Sequence, residues 1–382
     1  MGGLKKVILL VETSREFGRE LLYGIARYSK IHGPWSFYRE PRGMKSSVPR
    51  LEQWGAHGII MRNSGIRGEL LSLKIPAILA IHDSTRPAFL PAIVTDPTSI
   101  ANLAGQHLLS RGLRHVAYCG FPHIIWSNER LQMFEKFMAG AGLKPHVYPA
   151  APSSGGRTWY SERSQMREWV RRLPKPIGIM ACNDDRGQHV LEVCKELDIR
   201  VPDVVAVIGV DNDTMVCELA DPPLTSIALN VEPAGYAAAQ LLDSLMQGEP
   251  MRGQEIVVQA THVVPRQSTD LLAVDDENVA EAIRFIRQNA RSKLRVNDVV
   301  AHSLLSRRSL EYHFRNTIHR TIQEEIRRTR VELIATLLAG TDMPVAEVAD
   351  CFSFTDVEHI SRYFRREKDM GLREYRRLIR GT

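Results

Sequence analysis

The sequence predicts an α/β fold with two lobes, each a parallel sheet wrapped by helices, followed by an all-α domain. In residues 1–270, strand patterns alternate with helix patterns, as is typical of parallel sheets. The alternation runs through two successive series of similar length, which indicates two lobes in tandem. Residues 279–382 instead carry two helix-turn-helix patterns. We therefore expect domains at 1–270 and 279–382, joined by a linker over 271–278.

The first series begins with a predicted strand over 6–11 and a helix over 16–31. A later helix is predicted to start at Pro97, because Asp96 can cap it and proline suits the first helical position. The series comprises strands over 6–11, 58–61, 77–81 and 92–95, and helices over 16–31 and 97–111.

The second series repeats this alternation up to residue 229. Its predicted strands cover 116–119, 146–148, 177–181, 204–208 and 226–229, and its helices cover 128–141, 161–173 and 185–197. Ligands of open parallel sheets bind beyond the carboxyl ends of the strands. With two lobes, those ends can face each other, which predicts a ligand cleft between the lobes.

Polar side chains follow most of the predicted strands and are the candidates for that cleft. Carboxylates, amides and an arginine suit the vicinal hydroxyls of a sugar, and an aromatic face suits the apolar side of its ring. Each polar candidate has an alternative role as a helix cap, and we interpret the adjacent pair Asp184 and Asp185 as one cap and one ligand residue. The candidates are Glu12, Ser14, Arg15, Asp83, Trp126, Glu129, Arg130, Asn183, Asp184, Asp211, Asn212 and Asn230.

The two helix-turn-helix patterns cover residues 296–315 and 345–366. In each, a short amphipathic helix is followed by a turn, and a Ser or Thr is expected to cap the second helix. That helix pairs Leu310 with Phe314 in the first unit and Ile360 with Phe364 in the second, so that one face is buried and the other is free. A free face in this position can enter a DNA major groove, and two units can reach two successive grooves.

The charge distribution supports DNA as the partner. Residues 279–382 contain 20 Lys and Arg against 14 Asp and Glu, which accounts for the whole net charge of +6. Arginine suits bidentate contacts with phosphate or guanine. An Arg-rich helical domain without DNA binding is the alternative. The candidate base contacts are Arg307, Arg308, Glu311, Tyr312, Thr355, Asp356, Val357, His359 and Arg362, and the other candidate DNA contacts are Arg315, Arg327, Arg328 and Arg366.

Composition argues against several other classes of protein. No run approaches the roughly 18 apolar residues of a membrane span, and the apolar run at 7–11 is stopped by Glu12, which predicts a buried strand rather than a signal peptide. The five cysteines are scattered without metal-ligand spacing, and we expect them to be small buried hydrophobic residues in a reducing compartment. We therefore predict a cytoplasmic protein that is not an enzyme and needs no metal or cofactor. An enzyme fused to a DNA-binding tail is the remaining alternative.

Several motifs together resemble one known family. They are Trp126-Ser127-Asn128-Glu129-Arg130, Asp184 with residues 191–194, Val207-Ile208-Gly209-Val210-Asp211-Asn212, Pro265-Arg266-Gln267-Ser268-Thr269-Asp270, both helix-turn-helix units, the helix over 327–338 and Glu374-Tyr375-Arg376. Over nearly its whole length the chain resembles the xylose-operon activators. These join a periplasmic-binding-protein-like domain with Rossmann-like lobes, as in relatives of the lactose repressor, to a carboxyl-terminal DNA-binding domain of the arabinose-regulator type.

The resemblance implies an activator of transcription that binds D-xylose between its lobes and double-stranded DNA with adjacent half-sites through its tail. It also implies a homodimer formed largely by the sugar-binding domains, with RNA polymerase as a further partner. Sugar contacts to both lobes would favour closure of the cleft and so reorient the tails. A repressor, or a sensor of another pentose, hexose or small ligand, is the alternative within the same architecture.

Four positions depart from the family pattern. His319, Ser353 and Asp369 stand where a glycine is usual, and Leu372 stands where a proline is usual. Glycine serves a left-handed backbone without steric cost, and His or Asp tolerates it less well. We expect the fold to survive these changes, with more effect on the DNA target sequence than on DNA binding itself.

Overall fold

The computed structural model describes residues 4–39, 54–62, 75–80, 87–122, 124–149, 159–270, 276–341 and 343–380. Its contacts divide the chain into unit 1, Met1–Leu271, and unit 2, Leu272–Thr382. Residues 271–275 of the predicted linker lie outside the described residues.

The first lobe of unit 1 is a six-stranded parallel sheet with two helices. The elements are β1 (Lys5–Leu10), α1 (Glu16–His32), β2 (Trp35–Arg39), β3 (Gly58–Arg62), β4 (Ala77–Ala80), β5 (Ala92–Thr95), α7 (Val231–Met246) and β11 (Glu255–Val258). The strand order is β2-β1-β3-β4-β5-β11. Helices α1 and α7 pack against each other, and Leu21 of α1 and Leu242 of α7 are fully buried in one apolar cluster with Val7 and Ile60 of the sheet.

The second lobe is also a six-stranded sheet. The elements are α2 (Pro97–Ser110), β6 (His115–Cys119), α3 (Ile125–Gly140), β7 (His146–Val147), α4 (Trp159–Arg172), β8 (Ile177–Ala181), α5 (Asp184–Glu196), β9 (Val205–Val210), α6 (Thr214–Leu219), β10 (Thr225–Leu229) and β12 (Ala260–Val264). It repeats the strand order of the first lobe as β7-β6-β8-β9-β10-β12, with only β12 antiparallel. Asp96 caps α2 as predicted, since its Oδ1 accepts from Thr98 N at 2.9 Å.

The two lobes are not in simple tandem, and this part of the sequence prediction is wrong. After β10 the chain returns to the first lobe for α7 and β11 and then re-enters the second lobe for β12. Two of the three crossings are hydrogen-bonded to each other, because Asn230 N donates to Gln259 O at 3.0 Å and Asn230 Oδ1 accepts from Gln259 N at 2.7 Å. Only pairing in space reveals this return.

Unit 2 consists, over its described residues, of seven helices around two apolar clusters. The first cluster includes Leu310 and Phe314, the second includes Ile360 and Phe364, and all four side chains are fully buried as predicted. The long helix Ile322–Gly340 contributes to both clusters. The helices are α8 (Glu277–Gln288), α9 (Val296–His302), α10 (Arg307–Ile318), α11 (Ile322–Gly340), α12 (Val345–Cys351), α13 (Val357–Lys368) and α14 (Leu372–Arg380).

Three of the four unusual positions in unit 2 adopt the left-handed backbone. The φ angles of His319, Ser353 and Asp369 are 54°, 54° and 53°. His319 and Asp369 end α10 and α13, and Ser353 lies in the turn between α12 and α13. The fourth position, Leu372, starts α14 and is buried in the second cluster.

Replacing Ser353 with Gly is expected to stabilise unit 2 by about 0.5–1 kcal/mol. The left-handed conformation costs an L-residue roughly 1–2 kcal/mol, and glycine avoids this cost. About half of the resulting stabilisation is offset, because the unfolded chain has greater conformational entropy with glycine than with serine. Urea unfolding of the full chain, followed by circular dichroism, measures the change. The control Ser361→Gly lies inside α13 and is expected to destabilise. A loss of stability in Ser353→Gly would contradict the argument.

Four of the five cysteines, Cys119, Cys182, Cys194 and Cys217, are buried as predicted. Cys351 is exposed at the end of α12, so the prediction is wrong for this residue. In the described part of the chain, no helix has the length and hydropathy of a membrane span. The described residues also contain no group of three or more metal-binding side chains.

Candidate ligand cleft and DNA-binding surface

A pocket lies between the two lobes at the carboxyl ends of their strands. It contains about 920 Å³ of empty space, part of which is open to solvent. The first lobe contributes the ends of β1, β3, β4 and β5, and the second lobe contributes residues that follow β6, β8 and β9. The lining residues are Val11, Glu12, Arg15, Phe17, Gly18, Arg62, Ala80, Thr95, Trp126, Arg130, Asn183, Asp185 and Asp211.

The charged side chains of the pocket form three ion pairs. Within the first lobe, Arg62 Nη1 lies 2.6 Å from Glu12 Oε2. Within the second lobe, Arg130 Nη2 lies 3.5 Å from Asp211 Oδ1. The third pair joins the lobes and is bidentate, with Arg15 Nε donating to one oxygen of Asp185 at 2.9 Å and Nη2 lying 2.6 Å from the other. The six charges therefore balance within the pocket.

Arg130 and Asp211 form the most enclosed of these pairs. The Arg130 side chain is only 3% exposed, donates to the carbonyl of Cys182, and lies with its guanidinium carbon 4.9 Å from the centre of the Trp126 ring. Burial raises the pKa of Asp211 to about 6, although the Arg130 charge opposes the shift. This corner of the pocket offers an aromatic face beside a cation and a carboxylate.

Asp213 provides a second link between the lobes. Its side chain is 2% exposed, and its Oδ1 accepts from Val216 N, which caps α6. Its Oδ2 accepts from Glu16 N at 2.7 Å, at the start of α1 in the other lobe, and lies 3.4 Å from Arg19 Nη2. One carboxylate thus caps two helices in different lobes. Sequence reasoning missed Asp213, although its place before a helix is a capping signal.

Six of the twelve sequence candidates line the pocket: Glu12, Arg15, Trp126, Arg130, Asn183 and Asp211. Ser14 is next to it and donates to Glu12 Oε1. The pocket lining does not include Asn212, whose amide oxygen accepts from Arg266, or Asn230, which joins two crossings between the lobes. Glu129 is likewise absent from the lining. Asp83 lies outside the described residues.

Asp184 is buried beneath the pocket rather than in its lining. Its carboxylate accepts from Asp213 N at 2.7 Å and from the Ser226 hydroxyl, and its burial raises its pKa well above the usual range. The cap of α5 is Asn183, whose Oδ1 accepts from Arg186 N, so the interpretation of Asp184 and Asp185 as including the cap is wrong. The side chain of this pair in the pocket is Asp185.

The remaining lining residues were not sequence candidates. Thr95 ends β5, so the rule that selects residues beyond strand ends passed over it. Arg62 directly follows the predicted strand over 58–61 but was not selected, and in the structure it is the last residue of β3. Phe17 and Gly18 lie in the first turn of α1. A Cβ atom on Gly18 would come within 1.7 Å of Glu12 O, so this close approach requires glycine.

In unit 2, the second helix of the first helix-turn-helix unit is α10, which begins after Ser306. The Ser306 side chain accepts from Ser309 N, as expected for its cap. Arg308 and Arg315 are exposed on α10, and Tyr312 is 65% exposed. These side chains lie on the surface opposite the buried pair, where a DNA contact requires them.

Two other candidates on α10 are paired with each other. Arg307 Nε donates to Glu311 Oε1 at 2.9 Å, and Arg307 Nη1 donates to Asn297 Oδ1 at 3.3 Å. Both partners of the ion pair are partly exposed, so solvent screens the pair and a DNA phosphate or base can replace it.

In the second helix-turn-helix unit, α13 is capped by Asp356, not by a Ser or Thr as predicted. Asp356 Oδ1 accepts from His359 N at 2.6 Å, and its Oδ2 accepts from the Thr355 hydroxyl at 3.0 Å. Arg362 is exposed on the face opposite Ile360 and Phe364. Val357, at the first position of α13, lies on the same side as Ile360 and is 39% exposed.

The candidate phosphate contacts differ in their availability. Arg327 is paired with Glu367, and Arg328 is paired with Glu325 and Glu332. Arg366 is exposed. A phosphate contact by Arg327 or Arg328 therefore has to replace an existing ion pair. Arg366 can contact a phosphate from its present exposed position.

Both units match known domain families. Residues 106–269 match a periplasmic binding protein-like domain, and residues 299–378 match a helix-turn-helix domain. The chain is 26% identical to the xylose operon regulatory protein of Escherichia coli K12, over 97% of this chain and 96% of that one. It is 27% identical to the protein of the same name from Haemophilus influenzae Rd, over 97% and 98% of the two chains.

A solved structure, described as a xylose-binding transcription activator, superposes with a TM-score of 0.73 at 26% identity and covers 98% of both chains. The chain is a DNA-binding regulator of transcription, and its helix-turn-helix domain covers residues 299–378. The likeness confirms the predicted combination of a periplasmic-binding-protein-like domain with a carboxyl-terminal helix-turn-helix domain. The relatives of this regulator are themselves regulators, in agreement with the prediction that the chain is not an enzyme.

Proposed function

We propose that the regulator is switched by a neutral sugar bound between the lobes of unit 1, and that this sugar is D-xylose. The observation that carries the proposal is the pocket, in which both lobes place hydrogen-bonding side chains around the Trp126 ring. The full-length similarity to xylose operon regulatory proteins selects D-xylose among the sugars that such a pocket suits.

The balance of charge in the pocket favours a neutral ligand over a sugar acid or sugar phosphate. Each of Arg15, Arg62 and Arg130 already faces a carboxylate, so the lining residues that the structure describes carry no net positive charge to attract an anion. An anionic ligand would have to displace a carboxylate and leave it desolvated, which is costly. A neutral polyol can instead accept from each guanidinium and donate to each carboxylate.

Contacts across the cleft indicate how the sugar would act. The Arg15–Asp185 pair and the bond from Glu16 N to Asp213 exist only when the lobes are close. A ligand that contacts both lobes adds to these contacts and shifts the population towards the closed form. We infer that closure changes how two copies of unit 2 engage adjacent half-sites of DNA in a homodimer in the cytoplasm, and that bound DNA then favours transcription by RNA polymerase.

Calorimetric titration of the purified full chain tests the ligand. The panel is D-xylose, D-arabinose, D-ribose, D-glucose and the acid D-xylonate. We expect saturable binding of D-xylose at one site per chain and no binding of D-xylonate. Selective binding of another neutral sugar would identify that sugar as the ligand and leave the proposed mechanism of closure unchanged. Binding of the acid alone would overturn the argument from charge, and silence for all of them would remove sugar from the proposal.

Replacing Arg308 with Ala is expected to reduce affinity for the preferred duplex by about 5–150-fold and to remove discrimination at one base position, because one bidentate base contact is worth about 1–3 kcal/mol of discrimination. Fluorescence anisotropy with duplexes selected by the wild-type protein from a random library, each carrying one base change, measures this. The matched variant Arg366→Ala is expected to weaken all duplexes equally. A uniform loss in Arg308→Ala would show a phosphate contact instead.

A further inference from the structure

The loop that follows β9 carries unusual backbone at two consecutive residues. Asp211 has a φ of 99° and Asn212 has a φ of 49°. Residues other than glycine rarely adopt a positive φ. Surrounding contacts hold this loop, since Asn212 N donates to Ser226 Oγ at 3.0 Å and Asp213 N donates to Asp184 Oδ2 at 2.7 Å. Strained backbone persists only where the surrounding contacts hold it, so a change of contacts at the pocket can move this loop.

The side chain of Asn212 points away from the pocket to Arg266. Arg266 Nη1 donates to Asn212 Oδ1 and to Leu224 O, both at 3.0 Å, and its Nε donates to Glu218 Oε1 at 2.7 Å. The Arg266 side chain is only 11% exposed. Three hydrogen bonds to one planar group restrict the Arg266 side chain, so a displacement of Asn212 also displaces Arg266 or breaks this bond.

Arg266 begins the last segment of unit 1 that the structure describes. The Thr225 hydroxyl accepts from Arg266 N and donates to Arg266 O. A short 3₁₀ helix, Gln267–Thr269, follows, in which Ser268 is fully buried and donates to Val207 O at 2.6 Å. Unit 2 begins at Leu272, three residues after this helix.

We propose that Asn212 and Arg266 are positioning residues that transmit occupancy of the cleft to the segment from which unit 2 follows. The inference rests on the proposed function, because it supplies the route by which the sugar would act. Asp211 lines the pocket, Asn212 is its neighbour in the chain, and one direct hydrogen bond leads from Asn212 to Arg266. The other neighbour, Asp213, contacts the first lobe, so closure of the lobes displaces the same loop. The route is contiguous at every step.

The test variant is Asn212→Gly, which removes the acceptor of Arg266 and retains the backbone, since glycine adopts a φ of 49° without strain. Asn212→Asp keeps an acceptor oxygen and is the rescue. Glu218→Ala is the matched control, because it removes another partner of Arg266 that does not lead to the pocket. All variants are full-length chains.

Three measurements are made on each variant. Calorimetry gives the Kd for D-xylose. Hydrogen exchange with and without D-xylose reports on the peptide over 265–270, and anisotropy gives the ratio of DNA Kd values with and without D-xylose, on a duplex selected by the wild-type protein from a random library.

In the wild type, we expect D-xylose to change both the exchange of this peptide and the DNA Kd by at least about fivefold, the lower end of usual allosteric coupling. In Asn212→Gly both ratios should approach one while the Kd for D-xylose changes by less than about threefold, and Asn212→Asp and Glu218→Ala should behave as the wild type. Full coupling in Asn212→Gly, or sugar binding to the wild type without any change at 265–270, would overturn the route and leave the sugar-binding proposal intact. Absence of sugar binding to the wild type would overturn both.

Discussion

Replacing Asp211 with Ala is expected to weaken D-xylose binding by at least about 100-fold, because a carboxylate that accepts from two sugar hydroxyls contributes about 1.5–3 kcal/mol for each hydrogen bond. The loss also leaves the Arg130 guanidinium buried without its carboxylate partner. Calorimetric titration measures the Kd. Glu249→Ala is the control, because it removes an exposed carboxylate that is not in the pocket lining. This variant should bind D-xylose as the wild type does.

The same residue predicts a dependence of sugar affinity on pH. The pKa of Asp211 is raised to about 6, so the carboxylate is ionised at pH 7.5 and protonated at pH 5. Since the ionised form is the better acceptor, affinity for D-xylose should fall by about tenfold between these two values as the group takes up its proton. Asp211→Asn should bind weakly and equally at both pH values. An unchanged wild-type Kd at pH 5 would exclude Asp211 as the acceptor.

Replacing Arg330 with Ala is expected to destabilise unit 2 by about 3–5 kcal/mol, since it removes two charge-assisted hydrogen bonds from a buried group. Arg330 is 6% exposed and donates to Ser292 O in the first half of unit 2 and to Phe352 O, at 2.5 Å, in the second. Its guanidinium carbon also lies 4.9 Å from the centre of the Phe354 ring. Arg330 thus joins the segment before α9 to the second helix-turn-helix unit.

Urea unfolding of the full chain, together with anisotropy on DNA, measures the effect of Arg330→Ala. DNA affinity should fall together with stability, because the positions of α10 and α13, which carry the candidate base contacts, depend on the hydrogen bonds of Arg330. Arg330→Lys should not restore the wild type, since a single ammonium group cannot span two carbonyls with the geometry of a guanidinium. Arg377→Ala, at an exposed arginine, is the control for stability and should change it by less than about 0.5 kcal/mol. Equal stability of Arg330→Ala and Arg377→Ala would contradict the role of Arg330.

The sequence predicted the local elements well where each segment carries its own signal. Alternation of strand and helix patterns located the first ten strands except β2, and the cap at Asp96 located α2. The alternation did not predict α7, β11 and β12. Each of these elements packs in a lobe that the chain had already left, so its partners come from an earlier part of the sequence. The cap of α13 was assigned to the wrong residue type, because Thr355 and Asp356 are adjacent and both can cap.

In the candidate cleft, too, the sequence predicted some residues correctly, whereas the position of others depended on the fold. The rule that polar residues follow strand ends selected Arg130 and Asp211, which the fold brings together. It also selected Asp184, which the fold buries beneath the pocket, and passed over Asp185, its neighbour in the lining. Consecutive residues at a helix start point in different directions, so one position in the sequence cannot show which of them faces the ligand.

The sequence by itself thus determined the domain types, the two buried pairs of the helix-turn-helix units and the chemistry available at the strand ends. These properties depend on local spacing, which hydrophobic periodicity and capping residues encode directly. Only the tertiary structure decided that the lobes interleave, that Asp213 caps helices in both, and that Arg266 meets Asn212. Each of these contacts joins residues far apart in the chain. Their pairing depends on how the whole sheet and helix framework closes, which no local pattern records.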